Sequence, residues 1–281
     1  MRLVNLEGRA GLDVGGRFVD LAQHSDGRFS ADPMDVFADW EAIRAWAGQH
    51  TAGDAGPLIE PAKLGPPVPR PTQVFAIGLN YRDHAEEASL PIPETPMVFT
   101  KFPTCIAGPQ AEIPLTGDRV DWEVEQVVVI GREASGVSER EAWDHVAGMT
   151  AGQDISDRRL QFASKPPQFS LGKSARGFGP TGPALVSLDE LADPEDIALR
   201  CWVAGEKMQE SRTSNLIFSV PRLIEYISSY CVMLPGDLIF TGTPGGVGSV
   251  REPRRYLAAG ELIESEIEDI GRLENRCVAG R

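Results

Sequence analysis

Acidic residues alternate along the stretch RVDWEVEQVVVIG, residues 119–131, just before an apolar run. Successive side chains of a β-strand point to opposite faces, so Glu123 and Glu125 face the same way, with Asp121 outermost on that face. Like charges this close repel each other, and buried charge is costly unless something compensates it. Two converging carboxylates and a third from elsewhere would suit a hard divalent cation. Taken alone, the pattern also fits a solvated strand edge, and Asp121 fits a neighbour of the site better than a ligand.

A third acid follows in the segment GQDISDRRLQ, residues 152–161. Asp154 could complete the set of carboxylates. If a helical turn follows it, Arg158 and Gln161 share one face of that turn. The guanidinium of Arg158 could then bind a substrate carboxylate through two parallel hydrogen bonds. The same segment also fits a capped helix start with ordinary surface pairs.

Three further segments carry residues that suit acid–base chemistry or ligand binding. Lys173, in FSLGKSARGFGP, sits among small and apolar residues and could aim a desolvated ammonium at a developing oxyanion. Thr241 and Thr243, in TGTPGGVG, end an apolar strand in a loop that can approach a ligand closely. His84 and Glu87 are three residues apart, so on a helix Glu87 could orient His84 as a general base. Taken alone, Lys173 also fits a surface lysine, Thr241 and Thr243 fit a plain glycine-rich turn, and His84 with Glu87 fits a surface ion pair.

Two patterns that suggest phosphate binding are rejected. The segment GFGPTG, residues 177–182, matches G-x-G-x-x-G but contains Pro180 and opens no helix, which the dinucleotide fold requires. The segment GKS, residues 172–174, has Pro167 where a phosphate-binding loop requires glycine.

Short predicted strands dominate the elements that must position these residues. Because strands and helices do not alternate regularly, we expect a mainly β protein with some helix (α+β), and neither a doubly wound sheet nor a (β/α)₈ barrel. Six prolines between Pro57 and Pro71 predict a linker or wrapping segment. It would divide a small N-terminal domain, residues 1–70, from a catalytic domain, residues 71–281. Four helices are predicted: residues 32–50, RDHAEEAS, SEREAWDHVAGM and SVPRLIEYISSYCVML. Asp32 is the expected N-cap of the first, and Ser138 and Glu141 form the expected capping box of the third. A hairpin is predicted to turn at Ala204 and Gly205.

The composition excludes several classes of function. The 281 residues carry a formal net charge of −14, which argues against a nucleic-acid partner. No apolar run reaches membrane-spanning length and no apolar leader begins the chain, so we expect no membrane partner. The four cysteines show no C-x-x-C spacing and the scattered histidines no H-E-x-x-H motif. These patterns argue against zinc and are typical of reduced thiols in the cytoplasm, the expected location.

Five segments, in this order and approximate spacing, resemble the fumarylacetoacetate hydrolase family from roughly residue 70 to the C-terminus: GLNYRDHAEE, DWEVEQVVVIG, QDISDRRLQ, GKS…GFGPTGP and PGDLIFTGTPGGVG. The resemblance implies a mixed β-sandwich roll with a small N-terminal domain, and a homodimer. It implies Mg²⁺ or Mn²⁺, with Ca²⁺ as a substitute, held by three carboxylates. It assigns the metal to Glu123, Glu125 and Asp154, catalysis to His84, Glu87 and Lys173, and substrate binding to Arg158, Gln161 and Thr243.

The chain departs from the family pattern at three positions. Where the family commonly has ND-V-S-A-R-D-x-Q, Asp157 replaces a small residue and Arg159 replaces an acid. Gln126 stands where an apolar residue is usual. No proposed ligand is lost, but the altered charge beside Arg158 bears on substrate choice.

The expected substrate is a small anionic 2-oxo acid, and the leading hypothesis is hydrolysis of the C–C bond of 2,4-diketo acids of the acylpyruvate or fumarylpyruvate type. Water deprotonated by the dyad of His84 and Glu87 would attack the 4-carbonyl, leaving a pyruvate enolate that the metal and Lys173 stabilise. The same enolate would serve a 2-hydroxyhepta-2,4-diene-1,7-dioate isomerase of aromatic catabolism or an oxaloacetate decarboxylase. A non-catalytic, metal-dependent binder of 2-oxo acids is the alternative from another class.

Overall fold

A computed structural model describes residues 1–49 and 56–280. Its strands are β1 Arg2–Leu6, β2 Arg9–Val14, β3 Arg17–Asp20, β4 Leu64–Gly65, β5 Val74–Gly78, β6 Met97–Thr100, β7 Ile106–Ala107, β8 Ile113–Leu115, β9 Val120–Asp121, β10 Val124–Ile130, β11 Val146–Gln153, β12 Ser156–Asp157, β13 Gly179–Val186, β14 Ala198–Val203, β15 Glu206–Arg212, β16 Leu238–Phe240, β17 Leu262–Ile267 and β18 Gly271–Ala279. Its α-helices are α1 Leu21–His24, α2 Trp40–Ala47, α3 Arg82–Glu87, α4 Arg158–Gln161 and α5 Val220–Ser228. Among the described residues, no helix is long and apolar enough to cross a membrane.

Two large mixed sheets form the framework. An 11-stranded sheet runs in the order β3-β2-β1-β13-β11-β10-β16-β5-β6, with β4 paired to β1 and β7 paired to β13. A five-stranded sheet runs β15-β14-β17-β18-β8, and β12 and β9 pair separately. The central strands β10 and β11 contact β14 and β17 of the second sheet. This predominantly β arrangement, with few helices, confirms the predicted fold class.

The central strand β10 is buried along its whole length. Val128 and Ile130 pack in the core shared with the second sheet and α5. Val127 and Val129 pack on the other face, in a core shared with α2. A strand covered on both faces explains the unbroken apolar run, and it carries Glu125 into the interior with it.

The N-terminal strands extend the large sheet. β1 pairs antiparallel with β13, with Leu3 opposite Leu185, and also pairs with β4. The proline-rich segment 57–71 therefore wraps along the sheet and contributes a strand to it. The division into domains 1–70 and 71–281 stays a prediction.

Two predicted helices are corrected. The first is a 3₁₀ turn at Asp35–Phe37 followed by α2; Asp32 accepts a hydrogen bond from the Met34 amide at 2.9 Å and so caps a turn instead of a helix. Residue 50, its predicted last residue, lies outside the described ranges.

The second corrected helix follows Ser138. The Ser138 hydroxyl does donate to Glu141, at 2.5 Å, but the segment is a 3₁₀ helix, Glu139–His145. The chain then enters β11, where pairing to β10 and β13 outweighs local helix preference. Helix α5 also ends earlier than predicted, whereas α3 and the hairpin of β14 and β15 are confirmed.

Candidate active site

Three carboxylates converge where β10 and β11 meet. The antiparallel register places Val124 opposite Gln153, so Glu123 and Asp154 flank the end of the same ladder, and the Asp154 amide donates to the Glu123 carbonyl at 2.9 Å. One carboxylate oxygen from each of Glu123, Glu125 and Asp154 lies within 4.8 Å of the others, and all three side chains are buried. The alternative of a solvated strand edge is therefore wrong.

Two buried lysines neutralise part of this cluster. Lys173 Nζ donates to Glu123 Oε2 and to Asp154 Oδ2, both at 2.6 Å. Lys101 Nζ donates to Asp154 Oδ1 at 2.6 Å. Burial opposes the charge of Lys173, but Asp154 and Glu123 outweigh it and raise the pKa of this ammonium. Lys173 is thus a desolvated cation and not a surface lysine.

Glu125 is the carboxylate that the lysines leave uncompensated. Its Oε2 accepts a hydrogen bond from the Gly242 amide at 2.8 Å, and across the described ranges no lysine or arginine forms an ion pair with it. Burial, then repulsion by Asp154 and Glu123, raises the pKa of Glu125 well above its usual range. The cluster therefore offers three hard oxygen donors, and one of them, the Glu125 carboxylate, has no cationic side chain paired with it among the described residues. Such a set of donors suits a divalent cation.

Arg158 connects the cluster to the polar residues of α4. Asp157 caps this helix by accepting from the Leu160 amide at 3.1 Å. The Arg158 guanidinium pairs with Asp121 at 2.8 Å and with Glu123 at 2.6 Å, and it donates to Gln161 Oε1 at 2.9 Å.

Asp121 is fully buried and joins Arg158 to the glycine-rich loop that follows β16. Besides Arg158, its carboxylate accepts from the amides of Gly248 at 2.8 Å and Ser249 at 2.9 Å. The prediction that Asp121 is a neighbour of the cluster holds, but the sequence did not indicate that it anchors both the arginine and the loop.

Close backbone contacts explain the glycines of that loop. Gly242 has φ +101°, and a Cβ there would lie 2.7 Å from Asn80 Cβ. Gly246 has φ +102°, and its Cβ would lie 2.1 Å from the Met208 carbonyl oxygen. Thr243, between them, donates to the Val124 carbonyl at 2.9 Å and accepts from Gln209 at 2.8 Å, so its hydroxyl is fixed beside the start of β10.

Helix α3 presents the predicted dyad. His84 Nδ1 lies 3.6 Å from Glu87 Oε2, and the same oxygen accepts from the Gly246 amide at 2.8 Å. Burial opposes ionisation of Glu87, but the neighbouring His84, the hydrogen bond from the Gly246 amide and the charge of Arg251 lower its pKa. Glu87 is therefore a carboxylate that can stabilise a positive charge on His84.

A cavity of about 330 Å³ gathers most of these groups. Its polar lining residues are His84, Glu123, Arg158, Gln161, Lys173, Thr243 and Ser249. Glu125, Asp154 and Glu87 do not line it but contact residues around it. A larger groove of about 850 Å³ lies between α2 and the turn after β10, and none of the predicted site residues lines it.

Sequence reasoning missed Lys101 and two glutamines. Lys101 Nζ donates to Asp154 and also to the carbonyls of Lys173 and Phe178, yet a lone lysine after a strand gives no sign of burial. Gln153 accepts from the Glu123 amide at 2.8 Å, and Gln209 accepts from the Val124 amide at 3.0 Å. These two side chains complete the backbone bonds where the chain leaves β9 for β10.

The departures from the family pattern lie outside the cavity. Asp157 caps α4 and accepts from Thr116 at 2.7 Å, while the mostly exposed Arg159 lies 3.9 Å from Asp157. Gln126 is buried, with its amide nitrogen 2.8 Å from the Met149 sulfur. The added charges thus pair mainly with each other and not with Arg158.

Comparison with known proteins supplies the class. Residues 73–278 match the family model described as fumarylacetoacetate (FAA) hydrolase C-terminal. The chain therefore belongs to the fumarylacetoacetate hydrolase family, and it is an enzyme, as are the hydrolases, isomerases and oxaloacetate-converting members of that family.

Particular relatives differ in what they do. A Bos taurus protein named oxaloacetate tautomerase FAHD2A, mitochondrial, is 42% identical over 214 residues, covering 75% of this chain and 68% of the relative. The structure of a putative HpcE protein from Mycobacterium smegmatis is 47% identical, covers 100% of both chains and has a TM-score of 0.94. Maleylpyruvate hydrolase from Sphingobium sp. SYK-6, in complex with manganese(II) and pyruvate, is 24% identical over 100% of both chains with a TM-score of 0.83, which shows the fold alone.

Proposed function

We propose that this enzyme is a divalent-metal-dependent hydrolase that cleaves the C–C bond of 2,4-diketo acids of the acylpyruvate type. The observation that carries the proposal is a three-carboxylate cluster beside a cavity that is lined by one of its members, Glu123, by a buried lysine and arginine, and by a histidine paired with a carboxylate. Hydrolysis needs each of these parts, because a water must lose a proton on one side of the substrate while an enolate forms on the other.

Glu123, Glu125 and Asp154 would hold Mg²⁺ or Mn²⁺, with Ca²⁺ as a substitute. When bound, the cation supplies Lewis-acid polarisation of a 2-oxo acid and compensates the charge of the cluster. The proposal is supported by the donor chemistry, because Glu125 is a buried carboxylate without a cationic partner among the described residues.

The remaining steps belong to side chains of this chain. His84 takes a proton from the attacking water, and Glu87 stabilises the imidazolium that results. The water oxygen bonds to C4, the C3–C4 bond breaks, and its electron pair forms the pyruvate enolate, whose oxygen accepts a hydrogen bond from Lys173. The proton held by His84 is then available to C3 of the product.

Arg158 and Gln161 would bind the substrate carboxylate, and Thr243, whose hydroxyl donates to the Val124 carbonyl, would lie beside it. Asp121 holds the Nε side of the Arg158 guanidinium, so the Nη groups, which now meet Glu123 and Gln161, form the edge that a carboxylate would use. The anionic 2-oxo acid would thus be held at one end only.

The test uses purified protein loaded with Mn²⁺ or Mg²⁺ and a panel of acylpyruvates, following loss of the diketo chromophore. Glu123→Ala should abolish both cleavage and the metal-induced rise in melting temperature. Glu60→Ala, which removes an exposed carboxylate that does not line the cavity, is the matched control. If Glu123→Ala keeps the metal-induced rise intact, the ligand assignment is wrong.

Enol–keto tautomerisation or decarboxylation of oxaloacetate is the second candidate. It is favoured by the relative named oxaloacetate tautomerase, which shares 42% identity. Proton transfer at an enolate needs Lys173 and the cation but no attacking water, so His84→Ala should abolish acylpyruvate cleavage more completely than tautomerisation. Isomerisation of 2-hydroxyhepta-2,4-diene-1,7-dioate needs the same proton transfer and belongs in the same panel. Family membership sets aside the non-catalytic binder.

We further propose a homodimer. Leu160 is 44% exposed and Leu171 61% exposed, and they lie on neighbouring segments, α4 and the 3₁₀ turn Leu171–Lys173. Exposed apolar side chains of this size favour association. Light scattering at micromolar concentration tests the proposal, and a monomer mass would overturn it. The cytoplasmic location stays a prediction, and the Bos taurus relative is named as mitochondrial.

A further inference from the structure

One wall of the cavity is aromatic. The rings of Phe99 and Phe169 meet edge to face, with centroids 5.5 Å apart, and Phe162 meets Phe169 in the same manner at 6.0 Å. Lys173 Nζ lies 5.2 Å from the centroid of Phe99. The aromatic surface therefore begins beside the ammonium that would meet the enolate and continues outward to the half-exposed Phe162.

Aliphatic side chains complete this wall. Leu90 and Met97 also line the cavity. Gly78 leaves the space that Met97 and Phe169 need, because a Cβ there would lie 2.1 Å from the Met97 methyl carbon and 3.6 Å from the ring of Phe169. Met97 adapts readily to the shape of a ligand, since its side chain is unbranched and polarizable.

The cavity offers no cation to a second negative charge. Among its described lining residues, the lysine and arginine side chains are those of Lys173 and Arg158. In the proposed function Arg158 binds the first carboxylate and Lys173 meets the enolate oxygen, so neither remains for a second negative charge. A carboxylate at the far end of a substrate would be desolvated against the aromatic wall without a partner, which is costly.

Basic groups do lie in the adjoining cleft, beyond Val250. There the Arg251 guanidinium donates to the carbonyls of Met208 at 2.8 Å and Gly246 at 3.3 Å. Arg254 is exposed in the same cleft, which also contains Glu252. Arg254 is therefore the group through which a distal carboxylate could be accepted, and the experiment must include it.

We propose that the enzyme selects acylpyruvates whose acyl group is apolar, with an aryl or alkyl substituent on C4, and disfavours those that carry a second carboxylate. This inference rests on the proposed function and adds the substrate class: the carboxylate and 2-oxo group lie at the polar end, and the acyl group lies along Phe99, Phe169 and Phe162. Burying apolar substituent surface on the wall favours such substrates, whereas a charged end gains nothing there.

The test compares kcat/KM for benzoylpyruvate, acetylpyruvate and succinylpyruvate with Mn²⁺-loaded enzyme. We expect benzoylpyruvate to exceed acetylpyruvate by about 10-fold or more, the usual scale of apolar pocket discrimination, and succinylpyruvate to rank last. Phe169→Ala should reduce the benzoyl-to-acetyl ratio by about 10-fold. Phe102→Ala, which removes an equally large exposed ring that does not line the cavity, should leave the ratio unchanged.

Two results would overturn the proposal. One is a kcat/KM for succinylpyruvate that equals or exceeds the kcat/KM for benzoylpyruvate. A fall of the succinylpyruvate value in Arg254→Ala would then assign the distal carboxylate to this guanidinium. The other is an unchanged benzoyl-to-acetyl ratio in Phe169→Ala.

Binding separates this proposal from the proposed function. If no acylpyruvate is cleaved, hydrolysis is wrong, but calorimetry of the Mn²⁺-loaded protein with phenylpyruvate and 2-oxoglutarate still decides the preference of the wall. Tighter binding of phenylpyruvate, weakened in Phe169→Ala, supports the proposal. Tighter binding of 2-oxoglutarate contradicts it.

Discussion

Replacing Lys101, which does not line the cavity, by methionine should strongly destabilise the fold. The Lys101 side chain is fully buried, and its ammonium meets Asp154 at 2.6 Å and the carbonyls of Lys173 and Phe178. Removing one partner of a buried ion pair costs about 3–5 kcal/mol. Because Asp154 keeps its bond to Lys173, we expect the lower end, about 3 kcal/mol, and a fall in melting temperature of about 6–12 °C. Urea unfolding of the metal-free protein, followed by circular dichroism, measures the free energy of unfolding.

Lys63→Met is the matched control, because the ion pair of Lys63 with Glu60 is exposed. It should change the free energy of unfolding by less than about 1 kcal/mol. Adding Asp154→Asn to the wild type and to Lys101→Met should give a coupling energy of about 1–3 kcal/mol. If Lys101→Met costs no more than the control, or the coupling is zero, the buried pair is not what holds Asp154 in place.

Two further predictions concern Glu125 and the glycine-rich loop. The pKa of Glu125 is raised in the folded protein above its usual value of 4.5. Above pH 4.5 the unfolded chain therefore releases a proton that the metal-free folded protein still holds. For this reason Glu125 makes the free energy of unfolding fall as the pH rises from 4.5 towards the raised pKa of the folded protein. The Mn²⁺-induced rise in melting temperature should grow over the same pH range, because the ion binds the deprotonated carboxylate. Glu125→Gln should flatten both pH trends. Identical pH profiles for the wild type and this variant would contradict the prediction. Gly242→Ala should lower the free energy of unfolding by about 1–3 kcal/mol in urea, because the φ of +101° and the nearby Asn80 Cβ both disfavour a side chain. Gly8→Ala is the control: Gly8 also has a positive φ, but a Cβ there would meet no atom within 4 Å, so this variant tests the cost of the backbone conformation alone. Equal losses in the two variants would show that the contact with Asn80 carries no cost.

Local patterns sufficed where neighbours in the chain decide the outcome. The alternation of Glu123 and Glu125 predicted a shared direction, and both join the same carboxylate cluster. The dipeptide Ala204-Gly205 predicted a hairpin turn, and both residues adopt positive φ there. Helix α3 brings His84 and Glu87 together because residues three apart share a helix face.

Other features were decided by long-range contacts. At Ser138 the hydroxyl bonds to the Glu141 carboxylate but caps no backbone amide, and the segment forms a 3₁₀ helix before the following residues pair with β10 and β13. The cavity wall of Phe99, Phe162 and Phe169 joins a strand to loops far along the chain, so no local pattern indicated it.

The sequence by itself determined the mainly β fold class, the family resemblance and the candidate carboxylates, because strand periodicity and motif order are local properties of the chain. Only the tertiary structure decided how the charges of those carboxylates are balanced. Lys101 lies 53 residues before Asp154, and Arg158 lies 37 residues after Asp121, yet each pair is in contact and buried. Whether a charged side chain faces water or a partner depends on which strands pack over it, and that is settled only when both sheets are in place.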